Sequence, residues 1–301
     1  MLFEEPPIHC TVIENEITRA CQCTLLVARF DKVHPVISGN KLYKLYYFLQ
    51  EALASNHKTI LTFGGAYSNH LAATAFACRQ AGLRSIGIVR GERPDVLSHT
   101  LQHCIEQDMQ LHFVSRAEYA MMSDGANVNN LKDMFGECLV VPEGGYHPNG
   151  AKGASWMMHT INIPNPTHIC TALGTATTLA GLLLNEKKSA QVIAVPVLKN
   201  MTDIEKRLHY LGASADINRL TTWDEYHFGG YAKKNNELIH FMNQLYSAHK
   251  IPTDFVYTGK MMYAVMDKLQ KGYFKKGSTI LCIHTGGLQG NLSLPPRTLV
   301  F

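Results

Sequence analysis

Charge is scarce in this sequence, and long apolar runs are missing. Only 17% of the 301 residues are Asp, Glu, Lys or Arg. No apolar stretch approaches the roughly 18 residues a membrane-spanning helix needs. The opening MLFEEPPIHC has neither a basic n-region nor an apolar h-region, so neither export nor membrane spanning is expected. Basic tracts are absent too: KK occurs only at 187–188, 233–234 and 275–276, and the formal charge is +4. That excludes the electrostatic footprint of a nucleic-acid binder. The eight cysteines have no metal-site spacing: Cys21-Gln22-Cys23 lacks a second ligand pair, and His99 and His103 have no supporting acid. No metal is expected. Cysteines inside apolar runs such as THICTAL and TILCIHT read as buried free thiols of a reducing compartment, so a cytoplasmic protein is expected. Gly-x-Gly-x-x-Gly after a strand is missing, as is Gly-x4-Gly-Lys-Ser/Thr, which removes the main support for dinucleotide or nucleoside-triphosphate binding.

What is present is alternation. TILTFGG reads as a strand followed by a helix over 69–82; RSIGIVRG is followed by a helix over 95–108; QLHFVS is followed by mostly helix over 116–135, and CLVVPEGG closes the set. A second set follows: THICTAL with a helix from 178, QVIAVPVL with a helix from 202, helices over 233–250 and 260–271, and TILCIHTGG. Such βαβ succession predicts two α/β/α layered domains with mostly parallel sheets and a ligand cleft between them. The stretch NIPNPTH (162–168) reads as the return from one domain to the other.

Glycine clusters fall at strand ends: SGNKLYKL (38–45), FGGAYSNH (63–70), ALGTATTLAGL (172–182) and IHTGGLQG (283–290). Gly174 to Thr178 combines a small-residue turn, three hydroxyls and a helix start. It can cradle one phosphate through N–H and O–H donors without a basic side chain, though a plain capped helix start reads the same. Lys41 sits between a glycine turn and an apolar helix pattern. An amine there loses its charge easily and can form a Schiff base; a snorkelling surface lysine is the bland alternative. A phosphate loop with a Schiff-base lysine is what pyridoxal phosphate requires.

These motifs, in this order over about residues 30 to 290, resemble the 1-aminocyclopropane-1-carboxylate (ACC) deaminase / D-cysteine desulfhydrase family, pyridoxal-phosphate enzymes of the tryptophan-synthase β-subunit-like fold (fold type II). The resemblance implies a large cofactor-binding domain of residues 1–45 plus 150–301, a small domain of 46–149, and a homodimer. It implies Lys41 as the Schiff-base residue and Asn69 at the cofactor's 3-hydroxyl. It places Ser68, Asn69 and His70 around the substrate carboxylate. Gly174, Thr175, Ala176, Thr177 and Thr178 become the phosphate loop, with Tyr231 and Tyr257 as the active-site tyrosines and Thr285 beside the pyridine ring. Lys41, Ser68, Tyr231 and Tyr257 are the implied catalytic residues.

Two departures bear on chemistry. Tyr43 stands where the family usually has Arg. Thr258 stands where ACC deaminases carry Glu, and Thr285 where they tend to be apolar; D-cysteine desulfhydrases resemble this chain in having hydroxyls at both. A hydroxyl at the pyridine nitrogen leaves the ring a weaker electron sink than a carboxylate would. The expected activity is therefore β-elimination from D-cysteine or a related D-amino acid, giving pyruvate, ammonia and the leaving group. ACC deaminase is the alternative, then a dehydratase or racemase, and, in another class, a pyridoxal-phosphate-binding protein without turnover.

Overall fold

The computed structural model describes residues 7–34, 38–123, 128–163, 165–185 and 189–301. Two sheets organise the chain. The larger is built from Cys10–Ile13 (β1), Thr24–Arg29 (β2), His168–Leu173 (β7), Gln191–Pro196 (β8), Leu220–Thr222 (β9) and Thr279–His284 (β10), in the order β1-β2-β10-β7-β8-β9. Only β1 is antiparallel to its neighbour. The smaller sheet is wholly parallel, in the order β5-β4-β3-β6: Thr59–Gly64 (β3), Arg84–Arg90 (β4), Met109–Val114 (β5) and Leu139–Val141 (β6). The expected α/β fold with mostly parallel sheets is what the chain adopts.

The sequence explains the layering. Strands β2, β7, β8 and β10 are nearly continuous apolar runs, as strands covered on both faces must be. Alternate residues divide between the faces. Leu26, Ala28, Ile169, Val192, Ala194, Leu281 and Ile283 pack with Lys41–Ala54 (α2), Pro148–Ser155 (α7) and Thr177–Leu184 (α8). Leu25, Val27, Cys170, Ile193, Val195 and Cys282 pack with Asn236–His249 (α10) and Thr258–Gln270 (α11). The small sheet does likewise. Leu61, Phe63, Ile86 and Ile88 meet Arg116–Met122 (α5) and Val128–Phe135 (α6), while Val89 and Met109 meet Asn69–Gln80 (α3) and His99–Glu106 (α4). Helices begin where polar caps satisfy free N–H groups: Ser68, Ser98, Ser115 and Asn235 each accept from the third residue onward.

Differences from the expected elements are local. The helix expected over 116–135 is α5 and α6 either side of residues 124–127, which lie outside the described residues, as do Pro164 and Lys187-Lys188. The helix expected over 95–108 starts only at His99, where Ser98 caps it. Strand β1, helix Glu16–Cys21 (α1) and β2 had no counterpart in the sequence reading; neither had Ile204–Tyr210 (α9) as a helix of only seven residues, nor β9. Among the described residues, no helix is long and apolar enough to cross a membrane. All eight cysteines are free thiols.

Helix α7 (PNGAKGAS) is a tight joint between helices. A Cβ on Gly153 would lie 2.0 Å from the carbonyl oxygen of Tyr43 in α2, and one on Gly181 in α8 would lie 2.5 Å from Cβ of Ala154. These glycines let backbone pack on backbone beneath the start of α2. Gly153→Ala should therefore push α2 away. Overpacking of this kind costs about 1–3 kcal/mol, measurable as a lower midpoint in urea unfolding. An unchanged midpoint would show that the joint has slack.

Candidate active site

The C-terminal ends of the parallel strands from both sheets converge on one cleft of about 310 Å³, within the range of small-ligand sites. Lys41, Ser68, Asn69, His70, Gly174, Thr175, Ala176, Thr177, Thr178, Tyr231, Tyr257 and Thr285 all line it. Residues from six separate segments are thus brought together. Asn40, Lys44, Arg90, Glu143 and Asp254 also line it, and sequence reasoning had given none of them a role.

Lys41 opens α2. The turn before it docks on the end of β10: Asn40 N–H donates to Thr285 O at 3.2 Å, and Gly39 (φ +75) sits so close that a Cβ would be 1.8 Å from that oxygen. Lys41 Nζ donates to Asn40 Oδ1 at 2.9 Å, which fixes the amide's orientation and leaves its Nδ2 to donate to Thr178 Oγ1 at 2.7 Å. Asn40 therefore ties the lysine to the 174–178 loop. Burial lowers the Lys41 amine to about 8, against the pull of the Asp254 carboxylate.

The 174–178 loop turns through Ala176 in the left-handed region (φ +68), and the free N–H groups that open α8 follow directly. Thr175 and Thr177 hydroxyls are 3.0 Å apart. Thr178 accepts from Asn40, so its own proton is free to donate. A basic side chain is nevertheless present in the cleft. Lys44 is buried, burial and the neighbouring Lys41 push its pKa well down, and among the described residues no carboxylate pairs with it.

On the opposite wall Ser68 caps α3, accepting from Leu71 N–H at 3.3 Å. Asn69 Oδ1 is buried without a hydrogen bond. An orphaned acceptor of this kind calls for a donor from a ligand. Thr62 gives its one hydroxyl proton to Val141 O at 2.7 Å, so His70 Nε2, 2.9 Å from Thr62 Oγ1, must be the donor in that pair. The other ring nitrogen, Nδ1, is then a bare acceptor, and it has no partner. Burial, then Lys41 and Lys44, hold the ring's pKa well down. His70 lines the cleft with its donor turned to Thr62 and Nδ1 without a partner among the described residues.

Residues 12–286 match the family of pyridoxal-phosphate dependent enzymes. The chain belongs to that family. It is 30% identical over 297 residues to a Pyrococcus horikoshii protein named "Putative 1-aminocyclopropane-1-carboxylate deaminase", covering 94% of this chain and 90% of the relative. It is 28% identical to the Arabidopsis thaliana "Bifunctional D-cysteine desulfhydrase/1-aminocyclopropane-1-carboxylate deaminase, mitochondrial", covering 88% of this chain and 73% of that one. A crystal structure of an ACC deaminase homologue superposes with a TM-score of 0.82 at 25% identity, covering 97% of this chain and 92% of that chain. The cleft fits the cofactor of the family. It offers a buried amine of lowered pKa, a left-handed loop with free N–H groups and hydroxyls, and an orphaned acceptor between them.

The remaining site residues lie on two loops. Asp254 is fully buried, and both its oxygens are filled. Oδ1 accepts from the N–H groups of Val256 (2.9 Å) and Tyr257 (2.7 Å), and Oδ2 from Thr258 N–H (2.9 Å) and Thr258 Oγ1 (2.6 Å). Burial still pushes its pKa up, against the hydrogen bonds from Thr258 and Tyr257. Thr258, expected beside the pyridine nitrogen, spends its only proton on Asp254 and does not line the cleft. That expectation is corrected, while Thr285 does face the cleft. The Asp254 clamp sets Tyr257, whose hydroxyl donates to the Tyr231 hydroxyl at 3.4 Å. Burial and the Tyr231 neighbour raise the Tyr257 pKa well above the ordinary phenol value, so Tyr257 is a proton donor at neutral pH and not a base. Lys260 is buried, and its Nζ donates to the carbonyls of His227 (2.8 Å) and Gly230 (2.7 Å), holding the loop that presents Tyr231. Tyr43 points away from all of this: it is buried, edge-on to Phe30, with its hydroxyl 3.3 Å from Thr160 Oγ1.

A lysine lowered to about 8 is a nucleophile at a pH where an ordinary lysine, near 10.4, is still almost wholly protonated. Loading of cofactor-free protein with pyridoxal phosphate should rise with pH and level off above about 8. Below that it should fall tenfold per unit as the amine protonates. Stopped-flow absorption at several pH values measures this. A rate still climbing toward pH 10, or loading that survives Lys41→Ala, would remove Lys41 from its place.

Proposed function

We propose that this enzyme is a lyase that removes the β-substituent of D-cysteine or a related D-amino acid, releasing pyruvate and ammonia. The observation that carries this reading is the spent state of Asp254. It is the carboxylate at the deep end of the cleft, and its four lone-pair positions already accept four hydrogen bonds. Asp254 therefore has no lone pair to spare for a pyridine nitrogen, while Thr285 offers a hydroxyl to the cleft. That suits loss of a leaving group after Cα deprotonation, which asks less of the ring as an electron sink than opening a cyclopropane does.

The cofactor, when bound, supplies that sink; the chain supplies the rest. Lys41 holds the cofactor, and in its neutral state takes the Cα proton. Gly174 to Thr178 hold the phosphate, and Asn69 holds the ring's hydroxyl. Ser68 and the N–H groups that open α3 receive the substrate carboxylate at the positive end of the helix dipole. Tyr257, whose raised pKa keeps it protonated at rest, hands its proton to the departing group, with the Tyr231 hydroxyl beside it. Residues 1–45 with 150–301 as the large domain and 46–149 as the small one follow the division of strands between the two sheets. Eight free thiols support a cytoplasmic setting. A homodimer rests on the resemblance alone.

The ACC deaminase reading has its own support in the names of the relatives. The two separate in one assay. The holoenzyme should release sulfide and pyruvate from D-cysteine and leave ACC nearly untouched; equal turnover of both would defeat the electronic argument. Thr178→Val removes one donor to a charged group, a loss of about 1.5–3 kcal/mol in cofactor affinity. Lys260→Met should lower turnover while cofactor content stays normal, because it frees the Tyr231 loop and touches nothing that holds the cofactor.

A further inference from the structure

Arg90 stands at the end of β4, and its guanidinium faces the cleft from the rim. Its Cζ lies 5.1 Å above the ring of Tyr119, which is itself buried and fixes the plane of the stack. Its Nη2 is 3.7 Å from where a Cβ on Gly65 would be, so the missing side chain at Gly65 leaves open space beside the loop that leads to Ser68. Among the described residues no carboxylate comes within 4.0 Å of it. Glu143 lines the same rim without closing an ion pair on it.

The deep end of the cleft is spoken for. Lys41 and the 174–178 loop take the cofactor, and the start of α3 takes the α-carboxylate. What remains open is the rim, where a substituent on Cβ would emerge between Arg90 and Tyr231, itself 49% exposed. A planar guanidinium held by an aromatic face, unpaired and pointing into a ligand site, is complementary to a carboxylate, sulfonate or phosphate. We infer that Arg90 is a specificity residue that selects amino acids whose β-substituent carries a negative charge. D-Cysteine, which loses sulfide, is then a small member of the substrate class, and substrates whose β-substituent ends in an oxyanion are the preferred ones. Glu143, whose carboxylate lies beside the Tyr119 hydroxyl, opposes this and limits how strong the preference becomes. The inference rests on the lyase reading of the site, but binding tests it separately.

The experiment compares D-aspartate with D-alanine, which share the α-carboxylate and lack a β-leaving group. Each is titrated into the holoenzyme and followed by the change in cofactor absorption. D-Aspartate should bind about tenfold tighter, the scale of one partly solvated charge-assisted pair. Arg90→Gln should bring the ratio near one, and Glu143→Gln should widen it, a shift in the opposite sense that a loss of local structure would not produce. An equal ratio in native and Arg90→Gln proteins overturns the inference. So does a variant that weakens both ligands alike, because Arg90 would then hold the α-carboxylate, and so does failure of either ligand to perturb the spectrum. Pyruvate assays with β-chloro-D-alanine and O-phospho-D-serine test the lyase reading in parallel. If neither releases pyruvate while the binding ratio behaves as described, the reaction is wrong and the Arg90 assignment stands.

Discussion

Everything in the cleft depends on one docking contact: the turn Gly39-Asn40 pressed onto the end of β10. Gly39 fits there because it lacks a Cβ that would overlap Thr285 O, and Asn40 N–H donates to that same oxygen. The contact fixes where α2 begins, and so where Lys41 points. The Asn40 side chain then carries the fixation across to Thr178, joining a lysine from one segment to a loop more than a hundred residues away. The glycine face of α7 supports α2 from beneath, so the position of the lysine is set by packing on one side and by hydrogen bonds on the other.

The electrostatics follow from that placement. Lys41 and Lys44 lie one turn apart on α2; Lys44 is buried, Lys41 lowers its tendency to carry a proton, and the two together do the same to His70. The site therefore accumulates neutral bases in place of cations. A buried cation without a counter-charge is costly, and shifting the pKa is the way a protein avoids it. Arrival of a phosphate would reverse the balance, since an anion beside Lys44 restores the charged form. Asp254, whose carboxylate also accepts from three backbone N–H groups and one hydroxyl, pulls the Lys41 amine upward, but burial outweighs that pull.

Much of this was legible in the sequence, for identifiable reasons. Strands β3, β4, β7, β8 and β10 are apolar runs ended by glycine or polar turns, and the ligand loops sit at those ends, so the fold and the residues facing the cleft follow from punctuation. The first strands were not legible. CTVI and TLLVAR are short, lie on either side of a six-residue helix, and carry no glycine signal. Nor were Arg90 and Glu143. Each is one charged residue at a strand end, and only the folding of β4 and β6 side by side with β3 turns them to one rim. Asn40 lay in plain view inside SGNK, but its double hydrogen bond needs α8 in place.

Thr258 marks the boundary of what a motif can carry. The segment YTGK places Tyr257 on the wall of the cleft. The residue beside it is one step further round the first turn of α11, and a helix turns about 100° per residue, so neighbours in sequence need not share a face. The Asp254 carboxylate, four residues earlier, accepts from the N–H groups of Val256, Tyr257 and Thr258 and takes the Thr258 hydroxyl with them. The hydroxyl therefore acts through Tyr257, whose backbone N–H shares the same carboxylate, by fixing the turn from which the phenol reaches Tyr231. Of the two threonines, Thr285 lines the cleft, whereas the threonine that matched the family's acidic position is part of a helix cap.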